Sequence, residues 1–212
     1  FPEKCLCGSV TYKEKSKSTN KEDAVRRCLK GYECDFTARE KLKHIVSKEA
    51  FDIDGLGKKV IDQFWELKLI RKPSDIFSFN YNTIEKLEGW GITSIKNLKN
   101  AIENSRIIKL DRFIFSLGIR HIGQENAKIL ASFFKSINEF SYLFNSRKRE
   151  EILRNLIDLD GIGQTQIDSI KNFFSNNTNI KITKELIENL KIEDFKIQNK
   201  KGKFSRKNIM FT

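Results

Sequence analysis

The sequence predicts a mainly α protein: a small module stapled by four cysteines, then an all-helical domain built from four copies of one helix, hairpin, helix unit. Three observations carry this prediction. All four cysteines lie in the first 34 residues, as Cys5, Cys7, Cys28 and Cys34. Four short segments bearing glycine repeat along the rest of the chain, with apolar residues in matching places on both sides. The 212 residues are 39% hydrophobic, enough to bury one ordinary core plus a small satellite.

Charge narrows the partner. The chain holds 40 Lys and Arg against 28 Asp and Glu, a net charge of +12. Such a field attracts polyanions and speeds their encounter, so nucleic acid is the leading partner. The bland alternative is a Lys-rich proteome that inflates charge without function. Apolar stretches such as Phe113 to Phe115 are far shorter than the roughly 20 residues a bilayer span needs.

Residues 1–35 form the first module. Cys5-Leu6-Cys7 and the later pair Cys28 and Cys34 flank a polar, Lys-rich loop from Lys13 to Asp23. Two pairs of thiolates on one hairpin suit tetrahedral zinc, which supplies folding energy that so short a segment cannot draw from a core. Cys5, Cys7, Cys28 and Cys34 are therefore the expected metal ligands, with two disulfides or free thiols as the alternatives. The Cys-x-Cys spacing is tighter than the usual two-to-four-residue spacer. His44 is expected to pack or cap rather than ligate, because four cysteines complete the set.

Residues 36–175 carry the repeat. Ile53-Asp54-Gly55-Leu56-Gly57, Leu87-Glu88-Gly89-Trp90-Gly91, Ile119-Arg120-His121-Ile122-Gly123 and Leu159-Asp160-Gly161-Ile162-Gly163 align with one another. Positions four and seven past the final glycine are again apolar: Ile61 and Phe64, Ile95 and Leu98, Ala127 and Leu130, Ile167 and Ile170. That spacing is one face of a helix. Each unit is therefore expected to run helix, tight hairpin, helix. The first glycine takes a positive φ that side chains disfavour. The apolar residue after it turns inward and pins the hairpin. The last glycine opens a helix whose first N–H groups lack partners, and its missing side chain lets a phosphate approach them.

This pattern resembles the helix-hairpin-helix motif of DNA repair and replication proteins. Such units work in pairs, and contacts to phosphate alone give affinity without reading sequence. The expected DNA-binding residues are Gly55, Gly57, Gly89, Gly91, Gly123, Gly161 and Gly163, with Lys58, Lys59, Lys96, Arg120 and His121 beside them; Lys128 is a further basic candidate. In the third unit His121 stands where the others have glycine; its side chain is either a phosphate contact or a hydrogen-bonded turn residue. Trp65 and Trp90 are expected in the core, and Pro73 with Ser74 and Asp75 marks the break between the first two units.

Residues 176–200 read as a linker containing one short helical pattern, Lys184 to Leu190. Residues 201–212 end in Asn208-Ile209-Met210-Phe211-Thr212, which reads as a strand with nothing to pair with. Phe1 is not an initiator methionine and no signal-peptide pattern follows it, so the chain is expected to be a piece cut at both ends.

Order and wording together point to one family. Phe1-Pro2, the Cys5-to-Gly8 turn, Cys28 and Cys34, His44-Ile45-Val46-Ser47-Lys48, Phe51 to Gly57 and Leu117 to Gly123 resemble bacterial NAD-dependent DNA ligase along essentially the whole chain. The resemblance implies a four-Cys zinc finger, a helix-hairpin-helix domain of four units, and the first strand of a truncated BRCT domain at 201–212. It further implies a cytoplasmic monomer whose partner is nicked duplex DNA, working in replication and repair. The family moves AMP from NAD to a lysine, then to the 5′-phosphate, and displaces it with the 3′-hydroxyl with the help of magnesium. That lysine lies in a Lys-x-Asp-Gly motif, and neither Asp54-Gly55 nor Asp160-Gly161 has it. No catalytic residue is therefore expected here, and NAD and Mg2+ belong to other domains of the parent enzyme. The alternatives are a stand-alone helix-hairpin-helix accessory protein, which needs no cysteine module, and a zinc-ribbon RNA-binding protein, which needs no hairpin repeats.

Overall fold

The computed structural model describes residues 2–15 and 22–196, so the strand expected within 201–212 lies outside the described residues. The first module is a β-hairpin, β1 (Thr11–Lys15) against β2 (Glu22–Cys28), antiparallel, with Thr11 opposite Cys28. A bridge from Lys4 to Val10 extends it toward Cys5 and Cys7. Among the described residues before Asp35, only Thr11 and Cys34 are buried, while Leu6, Val10 and Leu29 are largely exposed. The module has no core of its own, so its shape depends on whatever joins its cysteines.

Cys34 ends this module and is also the N-cap of α1 (Asp35–Ile45). The helical domain follows as α2 (Lys58–Glu66), α3 (Ile92–Ser105), α4 (Leu110–Ser116), α5 (Gln124–Phe134), the one-turn α6 (Ile137–Phe140), α7 (Ser146–Leu156) and α8 (Gln164–Ser175). The repeat spacing is realised as burial. Ile61, Phe64, Leu98, Ala127, Leu130, Ile167 and Ile170 all sit in one continuous core, with Ile95 packed against its edge. Leu56, Ile122 and Ile162, the apolar residues inside three hairpins, are buried with them. In the second hairpin Trp90 serves that purpose by stacking near Phe64 at 5.4 Å and donating from Nε1 to Gln63 at 3.2 Å. Trp65 is buried beneath the Arg71 guanidinium. Phe140 joins the third and fourth units: Phe134 and Phe174 meet it edge-on at 5.2 and 5.6 Å, an arrangement favoured by the ring quadrupole.

Two expectations need correction. The second unit has no full leading helix; a single 3-10 turn, Tyr81–Thr83, precedes its hairpin. Asn80 and Asn82 explain this, because Asn side chains compete for nearby backbone groups, and Asn80 accepts from the Asn82 N–H at 3.0 Å. The stretch read as a linker from 176 to 200 is instead structured up to Glu193. Asn176 caps α9 (Asn177–Glu188), and β4 (Lys191–Glu193) pairs in parallel with β3 (Ile107–Lys109). Thr183 and Leu186 are buried, and Glu185 holds Lys72 at 2.7 Å and Ser74 at 3.2 Å. Polar Asn and Thr at the start of α9 disguise a helix that tertiary contacts stabilise. Among the described residues no helix is long and apolar enough to cross a membrane.

Candidate nucleic-acid interface and metal centre

The four hairpins share one backbone design. In each, an inward-turning residue donates its N–H to the residue three before it: Leu56 to Ile53, Trp90 to Leu87 and Ile122 to Ile119 at 3.1 Å, and Ile162 to Leu159 at 3.0 Å. The third residue of such a turn needs a positive φ, and Gly55, Gly89 and Gly161 supply 79°, 84° and 86°. His121 takes the same role at 58°, a conformation that costs an L-residue roughly 1–2 kcal/mol. No different turn replaces the repeat in the third unit.

The last glycine of each hairpin is extended and caps the following helix, with φ of −73° at Gly57, −92° at Gly91, −81° at Gly123 and −106° at Gly163. Any residue adopts that backbone. A Cβ placed on Gly57, Gly91 or Gly123 would meet nothing within 4 Å. Nothing described in the chain therefore requires glycine at these three exposed positions.

The helix starts differ in how their N–H groups are used. Gly91 donates to Ser94 Oγ at 3.0 Å and Gly163 to Gln166 Oε1 at 3.1 Å, each a cap from within the helix. Gly57 and Gly123 receive no side-chain cap. Glu125 lies in the first turn after Gly123, whereas α2 has no acid in its first turn and begins with exposed Lys58 and Lys59. Lys96 is exposed on α3, and Lys128 is held by Glu125 at 2.6 Å. The capping spacing Gly-x-x-Ser and Gly-x-x-Gln is legible in the sequence.

Arg120 is turned from the third hairpin toward the cysteine module, while His121 stays exposed beside it. Arg120 pairs with Glu14 and, at 2.9 Å, with Asp23, on the two strands of the cysteine module. Spacing gave no sign of these partners. The Arg120 hydrogen bond holds the Asp23 carboxyl below its usual range. His44 contacts the Phe115 carbonyl at 2.9 Å through Nε2 and packs its ring edge-on to Phe115, away from the cysteines.

The four cysteine sulfurs lie within 4.8 Å of one another. Cys5 is 3.7 Å from Cys34, and Cys7 is 3.7 Å from Cys28. Zinc–sulfur bonds of about 2.3 Å in a tetrahedron put sulfurs roughly 3.8 Å apart, whereas a disulfide brings them to about 2 Å. The tight Cys-x-Cys spacing works because Gly8, at φ 83°, lets the chain reverse: Gly8 N–H donates to Cys5 O, and Cys5 N–H to Ser9 O, both at 2.8 Å. Ser9 pulls the Cys7 thiol down to about 6, while loss of water contact pushes Cys28 up to about 12. The donor set, four thiols with no competing carboxylate or imidazole among them, suits a soft tetrahedral ion such as zinc.

Residues 112–183, which hold the third and fourth hairpins, match the family described as "Helix-hairpin-helix motif". Along its whole length the chain is similar to DNA ligases. It is 51% identical over 214 residues to DNA ligase of Pelagibacter ubique (strain HTCC1062), covering 100% of this chain and 31% of the relative. Identity is 41% over 197 residues to that of Parvibaculum lavamentivorans, covering 89% and 28%, and 41% over 218 residues to that of Wolbachia pipientis wMel, covering 100% and 32%. The chain spans about a third of the length of the curated relatives it matches.

Proposed function

We propose that this chain is the DNA-gripping C-terminal part of an NAD-dependent DNA ligase, holding a nicked duplex by its phosphates without reading its sequence. One observation carries the reading. Glycine recurs as the helix cap of all four hairpins, and at Gly57, Gly91 and Gly123 no described part of the chain needs it. A ligand that must come close to the backbone supplies the missing reason, and a phosphate at a helix N-terminus is the ligand such N–H groups suit. Similarity to DNA ligases and the net charge of +12 support duplex DNA as the source of that phosphate.

The proposed contacts are Gly55, Gly57, Lys58, Lys59, Gly89, Gly91, Lys96, Gly123, Gly161 and Gly163. Among them the first hairpin ranks highest, because its helix start is uncapped, free of acids and flanked by two lysines. At the second and fourth hairpins a phosphate would replace Ser94 and Gln166 as partner of the capped N–H. Cys5, Cys7, Cys28 and Cys34 would hold zinc, which supplies folding energy to a module without a core. Nick sealing itself, with NAD and Mg2+, is assigned to parts of the parent enzyme that this chain does not span, so the chain alone is inactive. Its service is positional: keeping the two ends of a nick in register removes entropy from the sealing step before chemistry begins.

The test is binding of the chain, as a monomer, to nicked and intact duplexes of unrelated sequence across a salt series. Affinity should be independent of sequence and fall linearly on a log–log plot, with a slope of about −0.9 per phosphate neutralised. Binding that is insensitive to salt, or absent at low salt, would sink the reading.

A further inference from the structure

The cluster of Arg120, His121, Glu14 and Asp23 is not used by phosphate gripping. It joins residues 97 positions apart, Asp23 and Arg120, across the boundary between the cysteine module and the third hairpin. Arg120 Nη2 meets Asp23 Oδ2 at 2.9 Å, and Arg120 Nε faces both Glu14 Oε2 and His121 Nε2, the latter at 2.9 Å. His121 Nε2 lies 3.5 Å from the same Glu14 oxygen. The Arg120 side chain is only 26% exposed. Asp23 is braced in turn by Arg27 at 3.0 Å. The guanidinium therefore turns its Nε and Nη2 edge toward the two carboxylates of the module, which anchors the side chain there rather than over the hairpin.

We infer that Arg120 is a positioning residue: with His121 it latches the cysteine module onto the third hairpin by gripping Glu14 on β1 and Asp23 on β2, and it is not a DNA contact. This goes beyond DNA gripping and stands whether or not the hairpins meet DNA. It also gives the third unit its reason to differ. Where the other hairpins place glycine at positive φ, this one keeps a side chain, and that side chain joins the latch. At its C-terminal end the module meets the helical domain through Tyr32, packed against the core, and buried Cys34 at the start of α1, whereas its two strands bury only Thr11 among the described residues and gain their orientation from this latch.

The latch is tested on the zinc-loaded chain by the rate at which a chelator takes the metal, for Arg120→Ala, Glu14→Gln and the double variant. Duplex binding across a salt series is measured alongside, and circular dichroism checks that the helices persist. Arg120 is the permanently charged partner of Glu14 among the described residues, so the cycle reports on that contact. Each single variant should speed metal release on the order of threefold to tenfold, as loss of a part-buried charged network does. The double variant should be no worse than the poorer single, because both remove one interaction. Duplex affinity should change by less than about twofold, and the salt slope should hold. The idea is overturned if Arg120→Ala leaves metal release unchanged, or weakens duplex binding and lowers the salt slope by about 0.9. It is equally overturned if the two single effects simply add.

Discussion

At the scale of single residues, the two glycines of one hairpin answer to different constraints, and substitutions separate them. Gly55 sits at φ 79°, and its Cβ position has ordinary room, with Leu98 Cδ1 at 3.8 Å. Gly55→Ala therefore meets backbone strain alone, costing about 1–2 kcal/mol, read as a lowered denaturant midpoint with an unchanged m-value. Gly57 is extended, exposed and a helix N-cap. Asp is a better N-cap than Gly by a few tenths of a kcal/mol, so Gly57→Asp should leave the midpoint unchanged or slightly raised. The same carboxylate would take the place of a phosphate, so duplex affinity should fall sharply, on the order of tenfold for one lost charge-assisted contact of about 1.5 kcal/mol. Stability and affinity moving in opposite directions is the signature of a glycine kept for a ligand. If affinity for duplex DNA stays at the parent value, this hairpin serves packing alone.

Among the elements, the cysteine module depends most on a group from outside the polypeptide. Its strands bury almost nothing before Cys34, so a chelator in excess should abolish amide protection in β1 and β2 while the helical signal and the main unfolding transition persist. Acid should act in the same direction, because protons compete with metal for thiolates, and Cys28, with its thiol pushed up to about 12, gives up its proton least readily. Protection that survives metal removal would mean that the hairpin stands without it. These elements also differ in how far the sequence disclosed them. The hairpins were legible because turn chemistry and helical spacing are local rules, and Ile61, Leu98, Leu130 and Ile170 lie where those rules place them. The four-cysteine cluster was legible in kind, though only the left-handed Gly8 explains how one intervening residue suffices. The latch was not legible, because Arg120 finds Glu14 and Asp23 only once the chain has folded. Nor was α9, whose opening Asn177-Thr178-Asn179 reads as coil until Leu186 is buried.

For the whole molecule, the C-terminal segment decides whether the domain is four units in a row or one closed body. It returns to three places: Glu185 reaches Lys72 and Ser74 between the first two units, β4 pairs with β3 between the second and third, and Phe195 N–H donates to Lys135 O at 2.8 Å beyond α5. Arg106 completes the closure, donating to the carbonyls of Asn189 at 3.1 Å and Phe77 at 2.8 Å. Closure of this kind restrains the spacing between hairpins, whereas a loose string of units would forfeit part of its affinity for any shared ligand to ordering them. Leu186 tests the closure, since its side chain is fully buried in the shared core. Leu186→Ala should cost about 2–5 kcal/mol, as large-to-small changes at buried leucines do. At roughly 2–4 °C per kcal/mol for a chain of this size, the midpoint of thermal unfolding should fall by about 4–20 °C in a single transition. Duplex affinity measured well below that midpoint should change little, because Leu186 is buried in the core and offers no surface to a ligand. A linker would tolerate the substitution without any shift, so an unchanged midpoint would detach α9 from the domain and leave the hairpins to find their spacing only when DNA binds.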